Sequence, residues 1–319
     1  MGKKIVLLLI VCVLCTTAFS QVKVNEENFP CENFRNWILE QAWGKSGVIC
    51  DEDIERITRI DVSRQRISDL TGINFFTNLL HLDCSINHLT SLDVSGLTNL
   101  QRLFCNDNRL TSLIVSGLIN LELLNARNND LTSLDVSELT NLRFLAVCRN
   151  YLTSLDISDL TSLEMLWCSR NQLTSLDVSN STNLSVLDCS INQLTSLDVS
   201  NLASFATLVA WDNQLTSLDV SNSPNFYWLE VQNNRLTSLD VSGLNNLRTL
   251  RGNRQNPILT FTNYSVEIKL NNPTNLAEGL TYQNGRLISR SRNITTSPFS
   301  VETGNPDFTL SGTLILQYE

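Results

Sequence analysis

The chain has 319 residues, of which 42% are hydrophobic and 17% charged, ample for a folded core. A net charge of −9 argues against generic nucleic-acid binding. With only two histidines, His81 and His88, histidine-built metal centres are excluded and general acid–base chemistry has few candidates.

Residues 1–20 read as an export signal. "MGKK" is basic, "IVLLLIVCVLC" is an apolar run too short to span a bilayer comfortably, and Ala18 and Ser20 are small residues ahead of Gln21. Cys12 and Cys15 lie inside that run, and their spacing is taken as coincidence. No later stretch is long enough for a membrane helix. The expected mature protein is exported, either secreted or associated with a cell surface. Residues 21–56 form the expected N-terminal cap. There Phe34, Trp37, Ile38, Gln41 and Ala42 give a short helix with one mostly apolar face, ended by Gly44.

From residue 57 to 256 a repeat dominates. "LTSL" recurs at Leu89, Leu110, Leu131, Leu152, Leu173, Leu194, Leu215 and Leu236, always 21 residues apart. The unit reads LxxLxCxxNxLTSLDVSxxTN, with Ala, Val or Gly sometimes at the Cys place. This resembles bacterial leucine-rich repeats, specifically the 21-residue, cysteine-containing repeats of the internalin J-like family. The resemblance implies an exported bacterial binding protein. Its fold would be a repeat solenoid, a curved leucine-rich repeat with a parallel β-sheet on the concave face, an N-terminal helical cap and a small C-terminal β-module. The residues agree independently. In "LxxLxC" the inward positions alternate as in a strand, and a strand of this kind buries its face only when copies stack. At about 4.8 Å per strand, ten units make a rod roughly 45 Å long.

Two polar columns accompany the repeat. Asn87, Asn108, Asn129, Asn150, Asn171, Asn192, Asn213 and Asn234 stand where each strand turns, and their amides can satisfy backbone groups there. Asp93, Asp135, Asp156, Asp177, Asp198, Asp219 and Asp240 line the "LTSLDVS" wall, broken by Ile114. A calcium ladder is conceivable, but calcium needs six or more converging oxygens, so the expectation is a solvated face whose carboxylates accept turn hydrogen bonds.

Residues 257–319 leave the repeat and show alternating β patterns. "LTYQNGRLIS" predicts a hairpin with Asn284-Gly285 at its turn, and "FTLSGTLILQY" a final strand. No wall-sorting motif or hydrophobic tail follows, so wall anchoring is not expected.

The thiols after residue 20 fall into three groups. Cys84, Cys105, Cys168 and Cys189 share one inward column with Ala126, Val147, Ala210 and Val231, which identifies them as small buried fillers rather than metal ligands. Cys31 and Cys50 are expected to form a disulfide, closing a loop of about twenty residues and adding roughly 3 kcal/mol in an exported protein. Cys148 follows the buried Val147 and is expected to face outward on the concave side.

Function must reside in the variable positions of the strand wall. Counted from the first leucine of the unit, the third, fifth, seventh and eighth positions should face the concave side. The expected anchors there are Phe104, Phe144, Trp167, Trp211 and Trp228, with Arg149, Arg170 and Asp188 as polar contacts. Aromatic rings in open solvent mark an interaction surface. The expected partner is a protein, with a glycan as the alternative and an unliganded structural spacer as the third reading. The chain is expected to act as a monomer without cofactor or metal. GxxxxGK, HExxH, GxSxG and GxGxxG motifs are missing from the sequence, and His81 with Asp83 is a lone acid–base pair, so no enzymatic activity is expected.

Overall fold

A computed structural model describes residues 21–200, 202–241, 244 and 246–252, with the backbone of five strands beyond them. The expected export signal at 1–20 and the Asn284-Gly285 turn lie outside the described residues. The chain divides into two compact units, residues 1–139 and 140–319.

The first unit opens with the cap. Strand β1 (Gln21–Lys23) runs antiparallel to β2 (Val48–Cys50), with Gln21 opposite Cys50. Helix α1 (Glu32–Glu40) lies between them in sequence, and α2 (Asp51–Arg56) follows β2. Helix α1 stops four residues before Gly44, where the Gln41 N–H turns back to the Ile38 carbonyl at 3.0 Å. Gly44 is needed for another reason. A Cβ there would fall 2.1 Å from the Ile38 carbonyl oxygen, so the return of the chain over α1 requires glycine. Phe29 meets Phe34 edge-on at 5.7 Å and also packs on Phe75, while Trp43 meets Phe76 edge-on at 5.5 Å. These rings cover the end of the repeat core, which would otherwise be open.

The repeat begins at β3 (Arg59–Asp61), continues through β4 (His81–Asp83), turns out to β5 (Ser91–Asp93), returns in β6 (Arg102–Phe104), turns out to β7 (Ser112–Ile114) and returns in β8 (Leu123–Asn125). Strands β3, β4, β6 and β8 are parallel, with Ile60, Leu82, Leu103 and Leu124 in one register row. Strands β5 and β7 pair in parallel in a separate sheet made from "LTSLDVS". The four row residues are essentially inaccessible, and burying each contributes about 2 kcal/mol against water.

The second unit repeats the pattern. Its strand wall is β9 (Phe144–Ala146), β10 (Met165–Trp167), β11 (Val186–Asp188), β13 (Thr207–Val209), β15 (Trp228–Glu230) and β17 (Thr249–Arg251). All are parallel, with Leu145, Leu166, Leu187, Leu208, Leu229 and Leu250 in register. On the other wall β12 (Ser196–Asp198) pairs with β14 (Ser217–Asp219), and β16 (Ser238–Asp240) with β18 (Thr260–Thr262). Beyond the repeat, β19 (Leu280–Gln283) and β20 (Arg286–Ser289) form an antiparallel pair, as do β21 (Pro298–Glu302) and β22 (Thr309–Thr313).

Asparagine locks the rungs together. The Asn171 Nδ2 donates to the carbonyls of Cys168 and, one repeat back, Val147, both at 3.0 Å. Its Oδ1 accepts the Leu152 N–H at 2.9 Å. Asn192 and Asn213 repeat these bonds a rung later each time. One side chain thus satisfies backbone groups of two rungs that water cannot reach. The aspartates of the other wall behave as turn acceptors. Asp93 Oδ1 takes the Ser95 N–H at 3.0 Å and its hydroxyl at 2.7 Å, and Asp135 does the same for Ser137.

Cys84, Cys105, Cys168 and Cys189 are free and fully buried. Burial pushes all four thiols well above the usual range, since a thiolate there would lose its hydration. Two other cysteine expectations are corrected. Cys31 and Cys50 are separate thiols. Each precedes a different helix and uses a local partner, the Ser68 hydroxyl at 3.9 Å for Cys31 and Asp53 Oδ2 at 3.0 Å for Cys50. Cys148 does not face outward but is 9% exposed. The parallel ladder runs on past the strand, with the Arg149 N–H bonded to the Ser169 carbonyl and the Arg170 N–H to Ser190, so a small seventh-position side chain is covered by its neighbouring rungs, whereas the long Arg127 reaches solvent. Ser85, Ser169 and Ser190, in the same column, are buried as well.

Candidate functional site: the strand wall

Alternation along each three-residue strand fixes what the wall presents. The middle residue points inward, and the residues on either side point out. In the second unit the outward rows are Phe144, Met165, Val186, Thr207, Trp228 and Thr249, then Ala146, Trp167, Asp188, Val209, Glu230 and Arg251.

Trp167 is the most open ring on the strands of this wall, at 39% exposure; Tyr227, one residue ahead of β15, is 44% exposed and lies under the Arg248 guanidinium. Phe144, half-buried on the adjacent strand, meets it edge-on with centroids 4.9 Å apart and planes at 80°. This geometry places the positive edge of one ring on the negative face of the other. Met165, Val186 and Val209 extend the apolar ground around the pair. Trp211, at a seventh position, is half-buried.

Trp228 is tied into a polar cluster. Its Nε1–H donates to Glu230 Oε1 at 2.9 Å, and the Arg251 guanidinium lies over its ring, 5.6 Å from the centroid. Arg251 Nη1 also reaches Glu230 Oε1 at 2.9 Å. Glu230 is 7% exposed, and the Gln232 Nε2 reaches its other oxygen, Oε2, at 3.5 Å. Sequence columns hold this signal, because Glu230 and Arg251 occupy the same position one repeat apart and therefore face each other across neighbouring strands. The ion pair of Arg143 with Glu164, at 2.7 Å, follows the same 21-residue rule.

Arg149 and Arg170 sit where the chain leaves the strand, both exposed and both at φ of +57°. Every rung from Ile86 to Asn233 takes this left-handed conformation at the eighth position. Asp107, Asn128, Asp212 and Asn233 suit it, because short amide and carboxylate side chains tolerate it best. Asp188 stands in register with Trp167, and its Oδ1 accepts the Ser190 N–H at 3.1 Å and hydroxyl at 2.6 Å. In the first unit, half-buried Phe104 lies 5.3 Å from the His81 ring. Burial, aided by the nearby Arg59 charge, holds the His81 imidazole below its ordinary pKa, so it is neutral at pH 7. The wall therefore offers an aromatic pair, a separate tryptophan–carboxylate–guanidinium cluster and a turn edge carrying two arginines.

Comparisons with known proteins fit this architecture. A family model described as "Leucine Rich repeats (2 copies)" matches residues 161–204, and one described as "LVIVD repeat" matches residues 141–167. No curated protein matches the chain. Among solved structures, the functional domain of InlJ from Listeria monocytogenes, described as including a cysteine ladder, is 38% identical with a TM-score of 0.67. That match covers 72% of this chain and 52% of the InlJ chain, so this chain spans about half the length of that relative. An internalin, InlF, from Listeria monocytogenes shares the fold at 23% identity and a TM-score of 0.57, covering 74% of this chain and 79% of its own. Among the described residues no helix is long and apolar enough to cross a membrane.

Proposed function

We propose that this chain, an internalin-like leucine-rich repeat protein, binds another protein through the strand wall of its second unit. The observation that carries the reading is Trp167, a large ring left 39% exposed beside Phe144 in a wall whose inward positions are fully packed. A ring of that size in water gains nothing for the fold, and tryptophan is the residue that most often anchors interfaces. Trp167 and Phe144 are the anchors in this reading, with Trp211 beside them and Arg149, Arg170 and Asp188 setting polarity. Trp228 braces the wall, and Phe104 belongs to the first unit's surface. The basic and apolar start of the sequence directs the chain to export. Outside the cell the chain acts as a monomer in adhesion or host interaction.

The test is capture from bacterial and host-surface extracts on immobilised mature chain, wild type against Trp167→Ala. At least a tenfold loss of the captured partner is expected, about 1.4 kcal/mol or more. Capture of the same partner at undiminished affinity would sink the strand-wall reading. Loss of a glycan rather than a protein on the same variant would move the assignment to carbohydrate.

A further inference from the structure

The turn edge beside Trp167 holds two positive charges that the fold does not use. Arg149 and Arg170 are exposed, and neither guanidinium has an ion-pair or hydrogen-bond partner among the described residues. Elsewhere in this unit Arg143 pairs with Glu164 and Arg251 with Glu230, and the Arg248 guanidinium lies over the Tyr227 ring. The ladder bonds from the Arg149 N–H to Ser169 and from the Asn150 N–H to Arg170 put the two residues on adjacent rungs, about 4.8 Å apart along the stack. Like charges so placed repel, and the left-handed backbone there suits Asn or Asp better than Arg. The next rungs carry Ile191 and then Asp212, and the Oδ1 of Asp188, the carboxylate facing Trp167, is held by Ser190. A local positive pair therefore stands on a chain of net charge −9.

We propose that Arg149 and Arg170 form an anion clamp for an acidic segment of a protein partner. The partner places an Asp or Glu carboxylate between the two guanidiniums and an adjacent apolar side chain on Trp167 and Phe144. This deepens the strand-wall reading and rests on it. Paired guanidiniums match a carboxylate through parallel N–H donors, and the carboxylate removes their mutual repulsion. The ground beside the clamp decides for a protein over an acidic polysaccharide. Around Trp167 the wall offers Phe144, Met165, Val186 and Val209, which receive an apolar side chain, while Asp188, the carboxylate in register with Trp167, repels the repeated charges of a polyanion.

Arg149→Asn/Arg170→Asn is a clean probe, because Asn128 and Asn233 already occupy this column. A displayed random-peptide library is selected in parallel on the intact mature chain, on this double variant and on Trp167→Ala. The wild type should enrich peptides with Asp or Glu next to Leu, Ile or Phe. Their affinity should fall at least tenfold on the double variant and weaken further in 0.5 M salt. Wild-type selection without acidic enrichment, or equal enrichment on the double variant, overturns the clamp. Retention on heparin that depends on the two arginines, without acidic peptides, also overturns it in favour of a polysaccharide. If the peptides bind Trp167→Ala as tightly as wild type, the strand-wall reading itself fails. If Trp167→Ala abolishes binding and the double variant does not, that reading stands and only the clamp falls.

Discussion

At the residue scale, burial separates the thiols sharply. The column of Cys84, Cys105, Cys168 and Cys189 is inaccessible and held in the thiol form. Cys31 is different. Partial burial alone would raise its pKa, but hydrogen bonds from the backbone at Phe34, Ser68 and Asp69 outweigh that and hold it below the ordinary value. Iodoacetamide at pH 8 should therefore label Cys31 first, and the column only after unfolding, as read by peptide mass spectrometry. Native labelling of Cys189 ahead of Cys31 would contradict the packing. Arginine at the left-handed turn makes a second residue-scale prediction. Arg149→Asn/Arg170→Asn should leave the melting temperature unchanged or raise it, because relief of backbone strain and of like-charge repulsion is worth about 1 kcal/mol. A clear drop would mean that these arginines hold the fold. The sequence showed where the two arginines lie, but not that their backbone is left-handed or that they lack partners. Those facts depend on the turn geometry.

At the element scale, each rung is closed by one asparagine whose bonds cross to its neighbour. Asn171→Ala would leave the Val147 and Cys168 carbonyls and the Leu152 N–H buried without that partner. A loss of about 3 kcal/mol is expected, from three bonds at about 1 kcal/mol each, measured by urea unfolding. An effect below about 1 kcal/mol would mean that water replaces the amide. This element was legible from the sequence because a 21-residue period puts like residues on like positions. The same regularity located the inward leucines, the cysteine column and the aspartate turns. It misjudged the seventh position, where alternation alone would point Cys148 outward. The ladder continues past the strand, and the neighbouring rungs cover a small side chain there. It also misjudged Cys31 and Cys50, since sequence spacing says nothing of local partners such as Ser68 and Asp53.

At the scale of the whole molecule, the repeat spends its inward residues on packing and leaves recognition to the outward ones. Column reading picked out Trp167, Phe144, Trp211, Trp228, Arg149 and Arg170, and only the side-chain geometry distinguishes among them. Trp228 is braced by Glu230 and Arg251, Trp211 is half-buried, and Trp167 stays exposed beside half-buried Phe144. The opposite wall carries its own exposed apolar residue, Ile114 at 44%. Hydrogen-exchange and hydroxyl-radical footprinting of the mature chain with a captured protein partner therefore tests the central claim most directly. Protection is expected at Phe144, Trp167 and the Arg149 and Arg170 turns, with the "LTSLDVS" wall unchanged. Protection confined to that other wall, with Trp167 as reactive as in the free chain, would contradict the account.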